Sequence, residues 1–304
     1  MEKIYDMIIV GGGPGGYTAA LYGARAGLDV LIIERLSAGG QMNLTGQIDN
    51  YPGFPDGVDG FQLSYNMQQQ AERFGAETRY AEVLELRLEE KIKSVRTNEG
   101  SYQAKSVVIA TGANPRQLGV AREKEMTGRG VAYCAHCDGG FYRGKTVAVV
   151  GGGNSAVAEA LYLSRIAKEV ILIHRRDSLR ATRIYEKPLR EAGNIRFVWD
   201  SEVVELLGED VLQSVKIRNL KNGEEQLLEV QGLFVSIGRK PATDLVKDQL
   251  TLDGAGYIMA GENTKTNLPG VYAVGDVRTK ELRQIVTAVA DGAMAAHMAE
   301  QDVS

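Results

Sequence analysis

The sequence has few residues of the two types that most often bind zinc. Its 304 residues include two cysteines and three histidines. The cysteines, Cys134 and Cys137, are two residues apart, with His136 between them. A structural zinc site usually takes four such ligands, and the other histidines, His174 and His297, lie in separate motifs. We therefore expect no metal site, and one closely spaced cysteine pair is left to explain.

Long apolar runs and an excess of positive charge are also missing. No run approaches the roughly 20 apolar residues that span a bilayer, and residues 1–10 lack the pattern of a signal peptide. The net charge is −4, with 35 basic and 39 acidic residues, which disfavours nucleic acid as a partner. We expect a cytoplasmic protein without a membrane or nucleic-acid partner. In that compartment a catalytic disulfide is more common than a structural one.

Glycine, in contrast, is abundant at 36 residues, and much of it is clustered. The apolar run at residues 7–10 is typical of a buried parallel strand. Gly11, Gly13 and Gly16 follow it, and a second apolar strand, residues 30–33, ends at Glu34. This is the fingerprint of a dinucleotide site, in which phosphates meet a helix N-terminus and the acid meets a ribose hydroxyl. An acid there favours FAD or NAD over NADP; the alternative is a turn that serves packing alone.

The same unit recurs later in the chain. A strand at residues 147–150 precedes Gly151, Gly153 and Ala156, which give the alanine variant of the fingerprint. The next strand, residues 170–173, ends in basic residues and not in an acid: His174, Arg175, Arg176 and, close behind, Arg180. Guanidinium groups bind phosphate oxygens in pairs, so we predict a 2′-phosphate and hence NADPH. The alternative is a solvated basic face.

The cysteine pair predicts redox chemistry. Two cysteines at this spacing near a βαβ pattern are typical of a dithiol that cycles with its disulfide. Inert packing and zinc binding are the alternatives. Asp138 follows directly and could move protons during disulfide exchange, or it could be a solvated turn residue. His136 could favour a neighbouring thiolate as an imidazolium, or it could be incidental.

The chain length suggests about two domains. Further apolar strands are expected at residues 107–109, 235–237 and 271–274, and residues 284–299 have helical spacing. With two strand–turn–helix–strand units, the predicted fold class is α/β, with two Rossmann-like dinucleotide-binding domains.

Across essentially its whole length the sequence resembles the low-molecular-weight thioredoxin reductases, a family of flavoprotein disulfide reductases. The residues that carry the resemblance are residues 11–16, 39–41, 50–53, 110–112, 134–138, 151–156, 174–180, 275–276 and 283–284. The resemblance implies a three-layer FAD/NAD(P)-binding fold and a homodimer. It also implies an FAD domain of residues 1–113 and 242–304, into which an NADPH domain of residues 114–241, carrying the dithiol, is inserted.

The resemblance implies two sets of cofactor contacts. The FAD contacts would be Gly11, Gly13, Pro14, Gly16, Glu34, Gly40, Gln41, Asn50, Val83, Gly112, Gly275, Asp276, Arg283 and Gln284. The NADPH contacts would be Gly151, Gly153, Asn154, Ser155, Ala156, His174, Arg175, Arg176, Arg180, Ile237 and Gly238.

It implies catalytic roles as well. Reducing equivalents would pass from NADPH through FAD to the disulfide, and on to oxidised thioredoxin. Cys137 would face the flavin, Cys134 would attack the partner disulfide, and Asp138 would exchange the proton. The family usually has Ala-Thr between the cysteines, whereas this chain has Ala-His, ending in His136. This departure leaves the potential of the dithiol open.

Two other functions fit the same residues. One is an NADPH-dependent flavin reductase of a different thioredoxin-like or glutaredoxin-like protein. The other is a redox sensor that binds nucleotide without turnover. Sustained NADPH oxidation with oxidised thioredoxin separates the enzyme from the sensor, and a panel of protein partners separates the two enzymes.

Overall fold

A computed structural model describes residues 3–44, 47–182 and 185–303, and these form two compact units. The first unit comprises Met1–Asn114 and Lys240–Ser304, and the second comprises Pro115–Arg239. The chain passes between the units at two places, where β9 (Ala113–Pro115) and β18 (Arg239–Pro241) form a small two-stranded sheet. The second unit is therefore an insertion in the first.

The first unit is built on a seven-stranded sheet with a parallel centre. Its strands are β1 (Ile4–Val10), β2 (Val30–Glu34), β5 (Glu77–Tyr80), β6 (Val83–Arg87), β7 (Lys93–Thr97), β8 (Ser101–Ile109) and β19 (Val271–Ala273). The order is β5-β2-β1-β8-β7-β6, and β19 pairs with the end of β8. Strand β7 pairs antiparallel with both β6 and β8, and the other pairings of this sheet are parallel. A separate hairpin pairs β3 (Gln47–Ile48) with β4 (Val58–Asp59).

Both faces of the central strands are buried, because helices and strands cover opposite sides. Ile8 and Val10 belong to one core cluster, whereas Met7 and Ile9 belong to another. The first cluster includes residues of β6 and β7, and the second includes α1 (Pro14–Arg25) and α7 (Ile285–Val303). A strand that is buried on both faces needs an unbroken apolar run, which explains the sequence of β1. A third helix of this unit is α2 (Gly60–Arg73).

The second unit repeats this layered plan around a five-stranded, fully parallel sheet. Its order is β10-β17-β11-β12-β13. The strands are β10 (Val131–Ala132), β11 (Thr146–Val150), β12 (Glu169–Ile173), β13 (Ile195–Val198) and β17 (Gly232–Val235). An antiparallel sheet covers one face, with strands β14 (Ser201–Leu207), β15 (Ser214–Asn219) and β16 (Glu225–Glu229). The helices of this unit are α3 (Glu123–Met126), α4 (Ala135–Asp138), α5 (Asn154–Ser164) and α6 (Glu186–Glu191).

The prediction of an α/β fold with two Rossmann-like units is confirmed, and the differences are local. Helix α1 begins at Pro14, because proline suits the first helical position. The strand expected at residues 235–237 ends at Val235, and the backbone then turns through Gly238 at a φ of +103°. Among the described residues, no helix is long and apolar enough to cross a membrane.

Candidate functional site

The first glycine turn (residues 11–16) joins β1 to α1. Gly11 has a φ of +108°, and a Cβ on it would lie 2.5 Å from the carbonyl oxygen of Ala110. A Cβ on Gly16 would collide with the carbonyl oxygen of Gly11. Gly13 differs, because apart from its two chain neighbours no atom in the described part of the chain lies within 4 Å of the position its Cβ would take. The turn is thus packed on its inner side and open at the N-terminus of α1, where unpaired N–H groups attract anions.

Glu34 ends β2 beside this turn. Its Oε2 accepts a hydrogen bond of 2.7 Å from the N–H of Gly12, and its Oε1 accepts one of 3.1 Å from the N–H of Leu36. A carboxylate has about four acceptor positions, so these two bonds hold the group in place and leave capacity for a ribose hydroxyl. A ribose hydroxyl, the predicted partner of Glu34, can therefore bind while the carboxylate keeps its two backbone hydrogen bonds. These two bonds were not predicted from the sequence.

Other predicted FAD contacts lie next to the first glycine turn. The N–H of Gly39 donates to the carbonyl of Gly12 at 2.7 Å, and a Cβ on Gly40 would be 3.9 Å from the Cα of Gly13. The Nε2 of Gln41 donates to the carbonyl of Ala113. The loop after β2 is therefore fastened against the open side of the turn.

Two contacts bring the predicted FAD residues near the C-terminus close to those in the N-terminal part of the chain. A Cβ on Gly15 would lie 3.1 Å from the Cγ2 of Val274, which precedes Gly275 and Asp276. The side chains of Asn50 and Gln284, which are far apart in sequence, share a hydrogen bond of 2.9 Å.

The remaining predicted FAD residues lie in the same unit. Pro14 is the first residue of α1, and its carbonyl accepts from the hydroxyl of Thr18 at 2.7 Å. Gly112 has a φ of +70°, and its carbonyl accepts from the N–H of Ala242 at 2.9 Å. Val83 begins β6, and its side chain packs against the core of the first unit. Nothing in these contacts singles out Val83 for a ligand.

Arg283 provides a test of whether this region fits an anionic dinucleotide. Its guanidinium lies 4.1 Å from the ring centroid of Tyr257, and its Nε is buried without a hydrogen-bond partner within the described part of the chain. Buried donors in proteins are nearly always paired. An unpaired cationic donor together with an open glycine cradle fits a dinucleotide that brings its own phosphate and polar groups.

The second glycine turn (residues 151–156) joins β11 to α5 and has the same form. Gly151 has a φ of +148°, and a Cβ on it would lie 2.7 Å from the Cβ of Ala156. Gly153 precedes α5, and among the described residues, its two chain neighbours apart, no atom lies within 4 Å of the position its Cβ would take. The Oδ1 of Asn154 accepts from the N–H of Thr182 at 2.9 Å. Ser155 is exposed in the first turn of α5.

Three arginines follow β12, in a loop that lies next to the second glycine turn. Arg175, Arg176 and Arg180 are exposed, and within the described ranges their guanidinium groups form no ion pair. The N–H of Arg180 donates to the carbonyl of Gly152 at 2.7 Å, which fastens the arginine loop to the glycine turn. Positive charge is thus concentrated beside an open helix N-terminus, as a 2′-phosphorylated dinucleotide requires.

His174 lies beneath the turn and is only 4% exposed. A Cβ on Gly152 would collide with its imidazole ring. Burial, and then the positive charges of Arg180, Arg175 and Arg176, lower the pKa of His174, so the ring is neutral at pH 7. The structure therefore gives His174 a supporting position, and its contact with nucleotide remains a prediction. Ile237 and Gly238 follow the end of β17, with Ile237 37% exposed.

Cys134 and Cys137 form a disulfide with their Cα atoms 5.3 Å apart. Cys134 caps the N-terminus of the short helix α4, and its carbonyl accepts from the N–H groups of Cys137 and Asp138 at 3.2 and 3.1 Å. Both cysteines are half-buried. The preceding strand, β10, is hydrogen-bonded into the parallel sheet of the second unit, so the dithiol stands at the end of a rigid element.

Two side chains beside the disulfide have shifted pKa values. Burial raises the pKa of Asp138 to about 6, so this carboxyl group can bind and release a proton near neutral pH. Burial lowers the pKa of His136, whose ring stacks on Tyr162 at a centroid distance of 4.3 Å. At pH 7 His136 is therefore neutral, which disfavours the interpretation of this residue as an imidazolium partner of a thiolate.

Three features of these regions were not predicted from the sequence. Tyr133, directly before the dithiol, donates to the buried carboxylate of Glu123 at 2.8 Å. Glu159, on α5, has a pKa raised to about 7 by burial. Asp291 is buried on α7 among alanines. The one sequence signal that could have pointed to this residue is an acid within an otherwise apolar helical run.

The two glycine turns, one next to an acid and the other next to arginines, together with a reversible dithiol, define a nucleotide-dependent oxidoreductase that acts on disulfides. The chain belongs to the pyridine nucleotide-disulphide oxidoreductase family, whose model matches residues 5–292. This confirms the family resemblance that the sequence motifs indicated.

Named relatives match the chain over its whole length. It is 44% identical over 309 residues to the thioredoxin reductase of Peptoclostridium acidaminophilum, covering 100% of this chain and 98% of that protein. It is 46% identical over 303 residues to that of Listeria innocua, covering 99% and 95%. The crystal structure of thioredoxin reductase from Streptococcus pyogenes is 45% identical, with a TM-score of 0.91 and coverage of 99% and 98%.

Proposed function

We propose that this protein is an NADPH-dependent, FAD-containing thioredoxin reductase. The observation that carries the proposal is the Cys134–Cys137 disulfide at a strand end in the same unit as the arginine-lined second glycine turn. A disulfide and an arginine-lined nucleotide site in one unit support the activity for which the relatives are named, thioredoxin reductase.

We assign a cofactor to each glycine turn. The first turn, with Glu34, would hold FAD, and Arg283, Asn50 and Gln284 would complete the site. The second turn would hold NADPH, with its 2′-phosphate on Arg175, Arg176 and Arg180. On this assignment residues 1–113 and 242–304 are the FAD domain, and residues 114–241 are the NADPH domain.

FAD, when bound, would supply two-electron chemistry between NADPH and the disulfide. Two-electron reduction of the Cys134–Cys137 bond leaves each sulfur as a thiol or thiolate. The thiolate of Cys134 then attacks one sulfur of the partner disulfide, forming a mixed disulfide and releasing the other partner sulfur as a thiolate. Cys137 attacks Cys134 in turn, which restores the internal disulfide and releases the second partner sulfur.

Asp138 supplies the proton in this scheme. Its carboxyl group is within the short helix that holds both cysteines, and its pKa of about 6 allows both protonation states near pH 7. The protonated form donates to a departing thiolate, and the ionised form accepts the proton of the incoming thiol. We place Asp138, Cys134 and Cys137 together as the catalytic group.

The proposed protein partner is thioredoxin, and the proposed assembly is a homodimer without a membrane or nucleic-acid partner. The acidic net charge of −4 is unfavourable for binding nucleic acid.

The test is an assay of NADPH oxidation with purified oxidised thioredoxin. We expect sustained turnover with thioredoxin, and loss of that turnover in Cys134→Ser and Cys137→Ser while bound flavin is retained. Replacing thioredoxin by an oxidised glutaredoxin provides the matched comparison. Turnover with glutaredoxin alone would overturn the assignment of the partner, and no turnover with any protein disulfide would overturn the enzyme.

A further inference from the structure

Helix α7 carries one buried carboxylate that connects it to the turn at Gly275. The side chain of Asp291 is 8% exposed. Its Oδ2 accepts from the N–H of Gly275 at 2.8 Å, from the Nε of Arg278 at 3.0 Å and from the Nζ of Lys280 at 2.6 Å. Its Oδ1 accepts from the Nη2 of Arg278 at 2.9 Å. Every acceptor bond of this acid thus comes from the segment that includes the predicted FAD residues Gly275 and Asp276.

The residue after Asp291 fixes the same helix against the first glycine turn. A Cβ on Gly292 would collide with the carbonyl oxygen of Gly15 and would lie 2.9 Å from the backbone nitrogen of Ala19. The backbones of α1 and α7 therefore pack directly against each other at Gly292. Asp291 and Gly292 together place α7 in contact with both halves of the predicted FAD site.

We propose that Asp291 is a positioning residue for FAD, which holds the Gly275 turn at a fixed place relative to the first glycine turn. This inference rests on the proposed assignment of FAD to the first unit. Gly275 has a φ of +71°, a conformation that glycine adopts readily but does not enforce, because it has no side chain. The hydrogen bond from its N–H to Asp291 is what would hold the turn in that conformation.

The charge of Asp291 matters as well as its shape. Arg278 and Lys280 have side chains that are 7% and 8% exposed, and Asp291 is their shared anion. Removing the anion from a buried ion pair leaves uncompensated buried charge. The Nη1 of Arg278 also donates to the carbonyl of Ala260 at 2.8 Å, so the disturbance would reach the neighbouring loop. Although burial opposes ionisation, the bonds from Arg278 and Lys280 keep the pKa of Asp291 below its usual value.

The test compares two isosteric variants on the same helix. Asp291→Asn removes the charge beside the Gly275 turn. Asp302→Asn is the matched control, because Asp302 is also on α7 but pairs with Lys265 and with Tyr272 of β19, neither of which is in the turn of residues 275–280. Release of FAD from the diluted holoprotein is followed by the recovery of flavin fluorescence. We expect the FAD dissociation constant to rise roughly 10- to 100-fold in Asp291→Asn, and to change less than about threefold in the control.

The outcomes separate the inference from the proposed function. An unchanged FAD dissociation constant in Asp291→Asn, or an equal rise in both variants, would overturn the positioning role. A wild-type protein that takes up no FAD would instead overturn the assignment of the cofactor. If Asp291→Asn fails to fold, amide exchange of Gly275 in wild-type protein decides: protection is expected, and rapid exchange contradicts the proposal.

Discussion

The imidazole of His136 stacks on the phenol ring of Tyr162, with 4.3 Å between ring centroids and 28° between ring planes. His136 lies between the two cysteines, and Tyr162 lies on α5, the helix that starts at the second glycine turn. A Cβ on Gly139 would be 2.9 Å from the Cε1 of the same tyrosine. Helix α4, which contains Cys137 and is capped by Cys134, therefore packs directly against α5, the helix that begins at the proposed NADPH site.

The first prediction concerns His136→Thr. Burial lowers the pKa of His136, so the imidazole becomes charged only at acidic pH, whereas threonine does not titrate. We expect thioredoxin reduction by the variant to stay within about threefold of wild type at pH 7–8 and to diverge only at acidic pH, where the imidazole becomes charged. The measurement is kcat/KM for thioredoxin as a function of pH. Tyr162→Phe keeps the stacked ring and should retain the wild-type profile; superimposable profiles for His136→Thr and wild type would remove any role for His136.

The second prediction concerns the rate contribution of Asp138. If this carboxyl group exchanges the proton, Asp138→Asn should lower thioredoxin reduction by about 100-fold or more. Flavin reduction by NADPH should be unchanged, because that step does not use this proton. Stopped-flow absorbance separates the two steps. Equal losses in both steps would indicate a disturbed fold and contradict the assigned role.

The third prediction follows from the raised pKa of the same residue. Below about pH 4 the carboxyl group is neutral in both folded and unfolded chains, so its burial has no charge penalty. As the pH rises from about 4 to about 6, the unfolded chain ionises this carboxyl group while the folded protein keeps it neutral, so wild type loses up to about 3 kcal/mol relative to Asp138→Asn, and the loss is complete above about pH 6. Urea unfolding of both proteins between pH 4.5 and 7.5 measures this difference. A difference that shrinks with rising pH would contradict the account.

The fourth prediction concerns the three arginines at the second glycine turn. Changing Arg175 and Arg176 together to glutamine should raise KM for NADPH by about 10- to 100-fold, because two guanidinium–phosphate contacts are lost. The response to NADH, which has no 2′-phosphate, should change little. Arg165→Gln, at an exposed arginine that ends α5, is the control. Parallel losses with NADPH and NADH would show that these arginines do not read the 2′-phosphate.

The fifth prediction uses two neighbouring glycines. Gly152→Ala would force a Cβ into the buried ring of His174, so we expect the variant to lose about 1–3 kcal/mol of stability. The Cβ of Gly153→Ala would meet no atom of the described residues beyond its chain neighbours within 4 Å, so stability should be retained while KM for NADPH rises. Thermal unfolding and NADPH titration give both quantities. A Gly153→Ala variant with wild-type KM would mean that phosphates do not approach this position.

Much of the scaffold could be predicted because its signals are local. The apolar runs of β1 and β11 and the glycines after them fix a strand, a turn and a helix in adjacent segments of sequence. The structure places both turns where the sequence put them, at residues 11–16 and 151–156. End points shifted by a few residues, as in the strand expected at residues 235–237, which ends at Val235 before the turn at Gly238.

The unpredicted features depend on contacts between distant segments. The stacking of His136 on Tyr162 and the bond from Gly275 to Asp291 exist only after α4, α5 and α7 have packed. Periodicity shows which face of a helix is buried, but not which partner a polar residue on that face will find. The bonds of Glu34 to Gly12 and Leu36 were missed for the same reason, although its place at the end of β2 was predicted.

The central claim is that each chain holds two electron-pair acceptors in series, a flavin and the Cys134–Cys137 disulfide. The most direct measurement is an anaerobic titration of the purified holoprotein with NADPH, followed by flavin absorbance and free-thiol content. The account predicts that wild type consumes about two equivalents of NADPH per chain, one for each two-electron couple, and that the Cys134→Ser/Cys137→Ser double variant consumes about one. Wild type and the double variant consuming the same amount, with no thiols appearing in wild type, would contradict it.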